Sequence, residues 1–241
     1  MVPGAVVLHV SAHPDDEAIA AGMTVSGLAA RGWTVVNLLL SAGRPGDEPR
    51  RLAEAAEAAR RAGNVLEADA DALGQGETGC VTAVLAALDR HRPTLVISPQ
   101  PHDRHPSHEL VGRAVRAALE QSGSTAVWWT WGLWAALQSP TLYVPFGPSD
   151  LARALDVLDA YRGELERNDY RRLVEGAAAS NAVLGSERVF GFGSPAAGTE
   201  PYAELLTELI RDGDHWYAGR PRVVDLDEPL QGSRYGDPLH D

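Results

Sequence analysis

Two separated stretches of the chain contain residue types that bind metal ions and activate water. Residues 11–17 read SAHPDDE and residues 101–108 read PHDRHPSH, so histidines and carboxylates are concentrated in both. A catalytic zinc ion takes about three protein ligands from His and carboxylate side chains and keeps one position for water. Metal-assisted hydrolysis is therefore the chemistry that these two stretches suggest.

The first stretch offers a pair of ligands and a separate base. His13 and Asp16 are three positions apart, a spacing that brings side chains to one side of a helical turn. Asp15 points elsewhere and is free to accept a proton from bound water. The third ligand has to come from residues 101–108, where spacing alone does not choose among the histidines. A competing interpretation is a capped helix N-terminus, which accounts for residues 14–17 but not for His13.

The elements around these stretches are expected to bring them to one edge of a sheet. Residues 5–10 are a continuous apolar run typical of a buried parallel strand, and a helix is predicted from about 15 to 31. Residues 95–98 form a later strand, and residues 107–121 the helix after it. In the common doubly wound order the first and fourth strands flank the crevice where ligands bind.

The rest of the first half continues this alternation of strands and helices. Strands are predicted at 33–40 and 65–68, and helices at 50–62 and 77–91. This order predicts an α/β fold, a Rossmann-like three-layer αβα sandwich with a mostly parallel sheet.

The second half is less regular. Its predicted elements are strands at 126–134 and 141–144, helices at 148–162 and 170–184, and, from Tyr202 onward, one helix followed by a Pro/Gly-broken strand or coil. We therefore expect a single domain over 1–241, with its core at about 4–125 and a C-terminal elaboration at about 126–241.

Composition excludes several classes of protein. The 241 residues carry a formal net charge of −12, which argues against a nucleic-acid partner. Cys80 is the only cysteine, so neither an internal disulfide nor a cysteine-based metal cage can form. The first ten residues lack the features of a signal peptide, and no apolar run reaches the roughly 18 residues that span a membrane. We expect a cytoplasmic enzyme with a small-molecule substrate.

Both stretches resemble signatures of one enzyme family. Residues 12–17 (AHPDDE) resemble a signature of the PIG-L (LmbE-like) deacetylases, and residues 103–108 (DRHPSH) resemble their later (DR)HPDH signature. The likeness covers about residues 4–125. The family includes GlcNAc-phosphatidylinositol deacetylases, deacetylases of thiol-cofactor biosynthesis and enzymes that tailor antibiotics. The resemblance implies zinc-dependent removal of an N-acetyl group from an amino sugar or a small molecule that contains one.

The resemblance also implies roles for individual residues. His13, Asp16 and His108 would bind Zn²⁺. Asp15 would be the general base, and His105 would stabilise the oxyanion and assist the departing amine. A proton has to reach the leaving nitrogen, and either Asp15 or His105 could deliver it.

Other residues are candidates for contact with substrate. Arg51 and Glu54 match an Arg and a Glu near the start of the family's second helix, where substrate contacts occur. The alternative is an exposed ion pair three positions apart on a helix. Arg44 belongs to a loop at 43–46 that either touches substrate or is only a turn. His102 is expected in a loop or behind the ligands.

The chain departs from the family pattern in two places. Ser107 replaces the Asp of HPDH, so an acidic neighbour that would help to keep His105 protonated is missing. Asp103 is the candidate to substitute for it, and it is counted among the residues expected at the substrate site. Gly163 and Glu164 stand where many relatives have Ser-Gln, which affects substrate range more than the reaction.

A dense aromatic stretch contains Trp128, Trp129, Trp131 and Trp134. Sugar rings stack on tryptophan, but a spacing of two along a strand is typical of a buried face. We expect most of these side chains in the core.

Two alternative functions remain open. One is a metal-dependent hydrolase of another amide or ester, although the acidic balance and the lack of a Gly-rich loop disfavour phosphate substrates. The other is a catalytically impaired member of the fold that only binds a small molecule. Asp15 beside the candidate ligands disfavours it, because metal binding alone does not need that carboxylate. The first strand is not followed by G-x-G-x-x-G, which disfavours a dinucleotide-binding dehydrogenase.

Overall fold

The computed structural model describes residues 5–228 as a mixed sheet with helices on both faces. Its strands are β1 (Val6–Ser11), β2 (Thr34–Leu39), β3 (Val65–Ala68), β4 (Leu95–Pro99), β5 (Val127–Trp131), β6 (Leu142–Phe146), β7 (Tyr202–Asp212), β8 (His215–Ala218) and β9 (Arg222–Val223). Its α-helices are α1 (Asp16–Ala20), α2 (Gly22–Ala30), α3 (Glu48–Ala62), α4 (Gly76–His91), α5 (Pro106–Ser122), α6 (Pro148–Leu158), α7 (Arg162–Arg167) and α8 (Tyr170–Phe190).

The first five strands form the parallel part of the sheet, in the order β3-β2-β1-β4-β5. Most of them are nearly continuous apolar runs because helices cover both faces. Val7 and Trp129 face one core with α2, α3 and α6, whereas Leu8 and Trp128 face the other with α4 and α5. The predicted α/β fold with a mostly parallel, helix-flanked sheet is confirmed.

The strand order reverses between β1 and β4, which are hydrogen-bonded neighbours. Val7 lies opposite Leu95, and His9 lies opposite Ile97. The carboxyl ends of the two strands therefore lie side by side. Residues 11–17 and 101–108 leave the sheet at this one edge, where open parallel sheets bind their ligands.

The helix predicted over residues 15–31 is broken at Ala21, whose backbone is not helical (φ −145°, ψ 34°). The carboxylate of Glu204 on β7 accepts hydrogen bonds from the amides of Met23 (2.9 Å) and Thr24 (2.8 Å). It thereby satisfies amides at the start of α2 that no preceding turn can bond. The local sequence cannot show this break, because the cap comes from a distant strand.

The helix predicted over residues 148–162 also ends early. It stops at Leu158, and the separate helix α7 follows after a short turn. This turn places α7 beside the edge of the sheet where the two His-rich stretches lie.

The helix predicted in the tail is wrong. Residues 202–212 form β7, which pairs antiparallel with both β5 and β6. Their Ala, Glu and Leu residues favour a helix in isolation. Here β5, β6 and β8 supply hydrogen-bonding partners along both edges of β7, and this pairing overrides the local preference. The coil predicted beyond residue 228 and the two ends of the 1–241 domain lie outside the described residues.

Within residues 5–228, no helix combines the length and the apolar character that crossing a membrane requires.

Candidate metal centre and active site

Three histidines from the two stretches meet at the carboxyl edge of β1 and β4. His13 precedes α1, whereas His105 and His108 lie at the start of α5. One ring nitrogen from each can be chosen so that all three lie within 4.8 Å of one another. The sequence prediction that the two stretches converge is therefore met by the structure.

The carboxylate of Asp16 lies against two of these imidazoles. Its Oδ1 is 3.2 Å from Nε2 of His108, and its Oδ2 is 3.7 Å from Nδ1 of His13. Oδ2 also accepts a hydrogen bond from the backbone amide of His13 (2.8 Å). Burial alone would raise the pKa of Asp16, but His108 and His13 outweigh it and lower the pKa well below its usual value.

Asp103 orients His108 from behind. Nδ1 of His108 donates to Oδ2 of Asp103 at 2.7 Å, which leaves Nε2 facing Asp16. Oδ1 of Asp103 accepts hydrogen bonds from the backbone amides of Leu133 (2.7 Å), Trp134 (3.1 Å) and Ala135 (3.2 Å). A carboxylate behind a ligand histidine is the arrangement that fixes its tautomer in metal sites.

The position of Asp103 corrects two expectations. It is fully buried, so it has no surface to offer a substrate. It bonds to His108 rather than to His105, so it does not replace the acidic neighbour lost at Ser107. Burial disfavours the charged form of His108, but Asp16 and Asp103 raise its pKa to about 10.

His105 lies in a different environment from His108. Its ring stacks on the indole of Trp134, with centroids 5.8 Å apart and planes 26° from parallel. Its Nδ1 is buried and has no hydrogen-bond partner within the described residues. Burial, followed by the nearby His108 and His13, lowers the pKa of His105. The neutral imidazole is thus the favoured form in the metal-free protein.

Asp15 and Asp16 are consecutive, yet their carboxylates face different partners. Asp15 is the residue before α1 and has a positive φ of 111°, a conformation that costs a non-glycine residue about 1–3 kcal/mol. This turn places its carboxylate 3.5 Å from Nη2 of Arg51, away from the imidazoles. Burial and the neighbouring Asp16 raise the pKa of Asp15 well above its usual value, and Arg51 opposes them.

Arg51 connects Asp15 to Glu164, a residue that was not among the predicted site residues. Its Nη2 donates to the carbonyl of Pro14 (2.9 Å), and its Nη1 lies 3.3 Å from Glu164 on α7. Glu164 is buried and also pairs with Arg167 at 2.6 Å. Position 164 stood out in the sequence only as a departure from Ser-Gln, with no sign that it would face Arg51.

The remaining predicted substrate residues differ in whether they line the cavity. Glu54 pairs with Arg50 (2.8 Å) and accepts the amide of Gly163 (3.0 Å), so it turns away from the histidines and does not pair with Arg51. Arg44 is exposed at the rim of the same cavity as the histidines. His102 is exposed in its loop, as expected.

A cavity of about 460 Å³ opens above these groups. The three histidines, Asp15 and Asp16 form its floor. Its walls include Ile19, Leu73, Leu133, Trp134, Arg44 and Glu164. This volume suits a small molecule of the size of one or two sugar rings.

The tryptophans divide into two groups. Trp128, Trp129 and Trp131 are fully buried, as most of the stretch was expected to be, whereas Trp134 is 55% exposed and lines the cavity. Nε1 of Trp131 donates to Nε2 of His9 (3.2 Å), and its ring lies perpendicular to that of His108 at 5.2 Å. Trp131 thus supports His108 from the core.

Several solved structures share this fold. GalB, the 4-carboxy-2-hydroxymuconate hydratase from Pseudomonas putida KT2440, superposes with a TM-score of 0.68 at 17% identity, over 88% of this chain and 98% of that one. The zinc-inhibited form of the teicoplanin deacetylase Orf2 gives 0.66 at 14% identity, over 87% and 100%. N,N'-diacetylchitobiose deacetylase from Pyrococcus horikoshii gives 0.60 at 18% identity, over 84% and 83%. At these identities the likeness establishes the fold.

The sequence comparison is more specific than the structural one. No curated protein matches the chain in sequence. Residues 8–119, which include both His-rich stretches, match the model of the PIG-L family, described as GlcNAc-PI de-N-acetylase. Residues 8–119 of this chain therefore form a PIG-L family domain.

Proposed function

We propose that this protein is a zinc-dependent N-deacetylase that acts on an amino sugar or on a small molecule that contains one. The observation that carries the proposal is the pairing of a His13–Asp16–His108 cluster with a second, separately oriented carboxylate, Asp15. The PIG-L family domain at residues 8–119 supports the same reaction.

The residues of the cluster fit a divalent metal ion. Two imidazoles and one carboxylate are a donor set that catalytic zinc sites use, with a position left for water. His13, Asp16 and His108 would hold the ion, and Asp103 would keep Nε2 of His108 directed at it. When bound, zinc lowers the pKa of a coordinated water to about 7 and supplies a nucleophile at neutral pH.

Asp15 is assigned as the general base. Its carboxylate is buried beside the cluster but is turned toward Arg51, so it can take the proton of the attacking water without leaving its place. Arg51 and Glu164 keep the carboxylate in this orientation. Base catalysis of this type contributes about 10²–10⁴ in rate.

His105 is assigned to the developing charge on the acetyl oxygen. It lies close to the cluster, with its ring centroid 5.2 Å from that of His13, and Trp134 covers one face of its ring. A proton must also reach the leaving nitrogen, because an amide anion is a very poor leaving group. Asp15 can deliver it once it has taken the proton of the water, whereas His105 can do so only as an imidazolium, a form that its lowered pKa disfavours.

Arg44 and Arg51 are the predicted substrate residues that still line the cavity, and Glu54 is withdrawn from that role. Teicoplanin deacetylase and diacetylchitobiose deacetylase share the fold and point to an acetylated sugar as substrate. GalB shares it as well and is a hydratase, so fold alone does not decide the reaction. The continuous sheet supports the further proposal that residues 126–228 elaborate the domain rather than forming a second one.

Acetate release is the direct test. The zinc-loaded protein is incubated with N-acetylglucosamine, diacetylchitobiose, an acetyl ester and a phosphoester, with and without a chelator. We expect chelator-sensitive acetate release from the N-acetyl sugars. Cleavage of the ester or phosphoester alone would replace the proposal with another hydrolase. Tight sugar binding without acetate release would indicate an impaired enzyme that only binds.

A further inference from the structure

We propose that Trp134 is a specificity-determining residue, whose exposed indole face binds the ring of the sugar that carries the N-acyl group. The inference rests on the proposed function, which it deepens by assigning the sugar ring a place in the cavity. Trp134 follows β5 and forms part of the cavity wall next to His105.

The exposure of Trp134 is the first observation behind this assignment. Trp128, Trp129 and Trp131 are at most 1% exposed, whereas Trp134 is 55% exposed. A tryptophan that stabilises the fold does so through apolar surface removed from water. Trp134 leaves about half of its surface in contact with solvent, and it is one of the residues that line the cavity.

The indole N–H groups show the same contrast. Those of Trp128, Trp129 and Trp131 donate to Ser98, Glu208 and His9. Within residues 5–228, the indole N–H of Trp134 donates to no protein atom. It is free to bond a hydroxyl group of a ligand, since tryptophan presents both an apolar face and a polar edge.

The backbone that carries this exposed side chain is held in a fixed place. The amides of Leu133, Trp134 and Ala135 all donate to Oδ1 of Asp103, and Oδ2 of the same carboxylate holds His108. The indole is thus tied through one buried residue to a candidate metal ligand. With the backbone anchored, only the two side-chain torsions of Trp134 remain to be fixed when a ligand stacks on it, which limits the entropy lost on binding.

The geometry favours a ring attached directly to the amide nitrogen. The centroid of the indole ring lies 5.8 Å from that of His105, which we assign to the acetyl oxygen, so a ring carried by the amide nitrogen would lie within reach of the exposed part of the indole. A pyranose presents a face of C–H groups to such a surface, whereas a short acyclic amine has no face to present. Selectivity for cyclic N-acyl amines is the expected consequence.

The test compares two amides that differ in the ring. Methyl N-acetylglucosaminide and N-acetylethanolamine carry the same acetyl group, and kcat/KM is measured for both with the wild type, Trp134→Ala and Trp134→Phe. We expect Trp134→Ala to lower kcat/KM for the cyclic substrate about 10- to 100-fold, chiefly through KM, and to change the acyclic one less than about 3-fold. Trp134→Phe should retain most of the selectivity. Phe192→Ala, which removes another exposed aromatic outside the cavity, is the control and should change neither.

Equilibrium binding gives a readout that does not depend on turnover. Titration calorimetry with methyl glucosaminide, the amine product, should show about 10-fold weaker binding to Trp134→Ala than to the wild type and to Phe192→Ala. If the wild type releases acetate but Trp134→Ala loses activity equally on both amides, or loses none, the inference is overturned while the deacetylase proposal stands. If the wild type releases no acetate yet binds the glucosaminide more tightly than Trp134→Ala does, the deacetylase proposal falls and the assignment of Trp134 as a sugar-binding residue stands.

Discussion

His105 and His108 lie three positions apart at the start of one helix, with ring centroids 4.5 Å apart, yet their side chains have different partners. His108 is buried, held at both nitrogens by carboxylates and backed by Trp131. His105 is partly exposed, has no hydrogen-bond partner at Nδ1 among residues 5–228 and stacks on Trp134. The comparison supports the different roles that we propose for these neighbouring histidines: His108 as an ion ligand, and His105 as the residue that faces the substrate.

The environment also separates their protonation. Carboxylates raise the pKa of His108 to about 10, whereas burial and neighbouring imidazoles lower the pKa of His105. A protonated His108 supplies the positive charge that Asp16 requires while no metal is bound. A metal ion would displace that proton, because a ligand imidazole has to be neutral.

Of the variants that distinguish His105 from His108, His105→Gln is expected to have the largest effect. It should lower kcat/KM for an N-acetyl sugar by about 10²–10³-fold, the usual cost of one oxyanion donor, and leave the zinc content near that of the wild type. Rate and metal content are measured on the same preparation. His102→Gln, in the exposed loop, is the matched control and should affect neither. Loss of zinc from His105→Gln would indicate that His105 is itself a ligand and would contradict the different roles proposed for His105 and His108.

A smaller effect is expected from Asp103→Asn, which alters the hydrogen bond that orients His108. The amide cannot accept at both of its polar atoms, so His108 loses its orientation and the backbone amides lose part of their acceptor. Zinc affinity should fall about 10- to 100-fold, measured by competition with a chelator. Asp47→Asn removes a carboxylate at the exposed rim and should leave the affinity unchanged. Equal affinities in the two variants would refute the orienting role.

Gly43→Ala tests the contact between Arg51 and Asp15. A Cβ at position 43 would lie 2.8 Å from Cδ of Arg51, and Gly43 also has a φ of +96°. We expect kcat/KM to fall by about 10-fold as Arg51 shifts away from the base. Gly46→Ala carries nearly the same backbone strain (φ +93°) but meets no atom within 4 Å, so it should lose stability only. If both variants keep full activity, Arg51 does not position Asp15.

Glu204→Gln should leave activity unchanged and alter the pH dependence of stability. Burial raises the pKa of Glu204 to about 7, from 4.5 in a free side chain. Between pH 4.5 and 7 the folded protein therefore retains a proton on Glu204 that the unfolded chain has lost. The contribution of Glu204 to the stability of the fold is complete below pH 4.5 and is lost as the pH rises through 7. Because Gln does not titrate, the unfolding free energy of the wild type relative to that of Glu204→Gln should fall by up to about 3 kcal/mol between pH 5 and 8. The variant also loses one acceptor at every pH, since a side-chain amide cannot accept from both the Met23 and the Thr24 amides. Parallel denaturation curves for the two proteins across this range would contradict the raised pKa.

The sequence predicts those parts of the site that lie in one segment or at one sheet edge. An apolar strand followed by a His-rich stretch occurs twice, at β1 and at β4. This pattern predicts that residues 11–17 and 101–108 converge. Rules for parallel sheets make this possible, because neighbouring carboxyl ends share an edge.

The sequence does not predict contacts that depend on distant packing. Nothing in the local pattern shows that Asp103 turns inward to backbone amides at 133–135, or that Glu164 reaches Arg51 from α7. The same limit explains β7, which is predicted as a helix from its residues and becomes a strand because β5 and β6 bind its edges. Trp134 and Trp131 also look alike in sequence, and only the fold exposes one of them.

The most direct measurement of the central claim is the zinc content of Asp15→Asn and His108→Ala, determined by mass spectrometry beside the rate of acetate release. The account predicts that Asp15→Asn keeps about one zinc per chain and loses about 10²–10⁴ in rate, whereas His108→Ala loses most of its zinc together with its activity. An Asp15→Asn protein without zinc, or a fully loaded His108→Ala protein, would contradict the assignment of base and ligand.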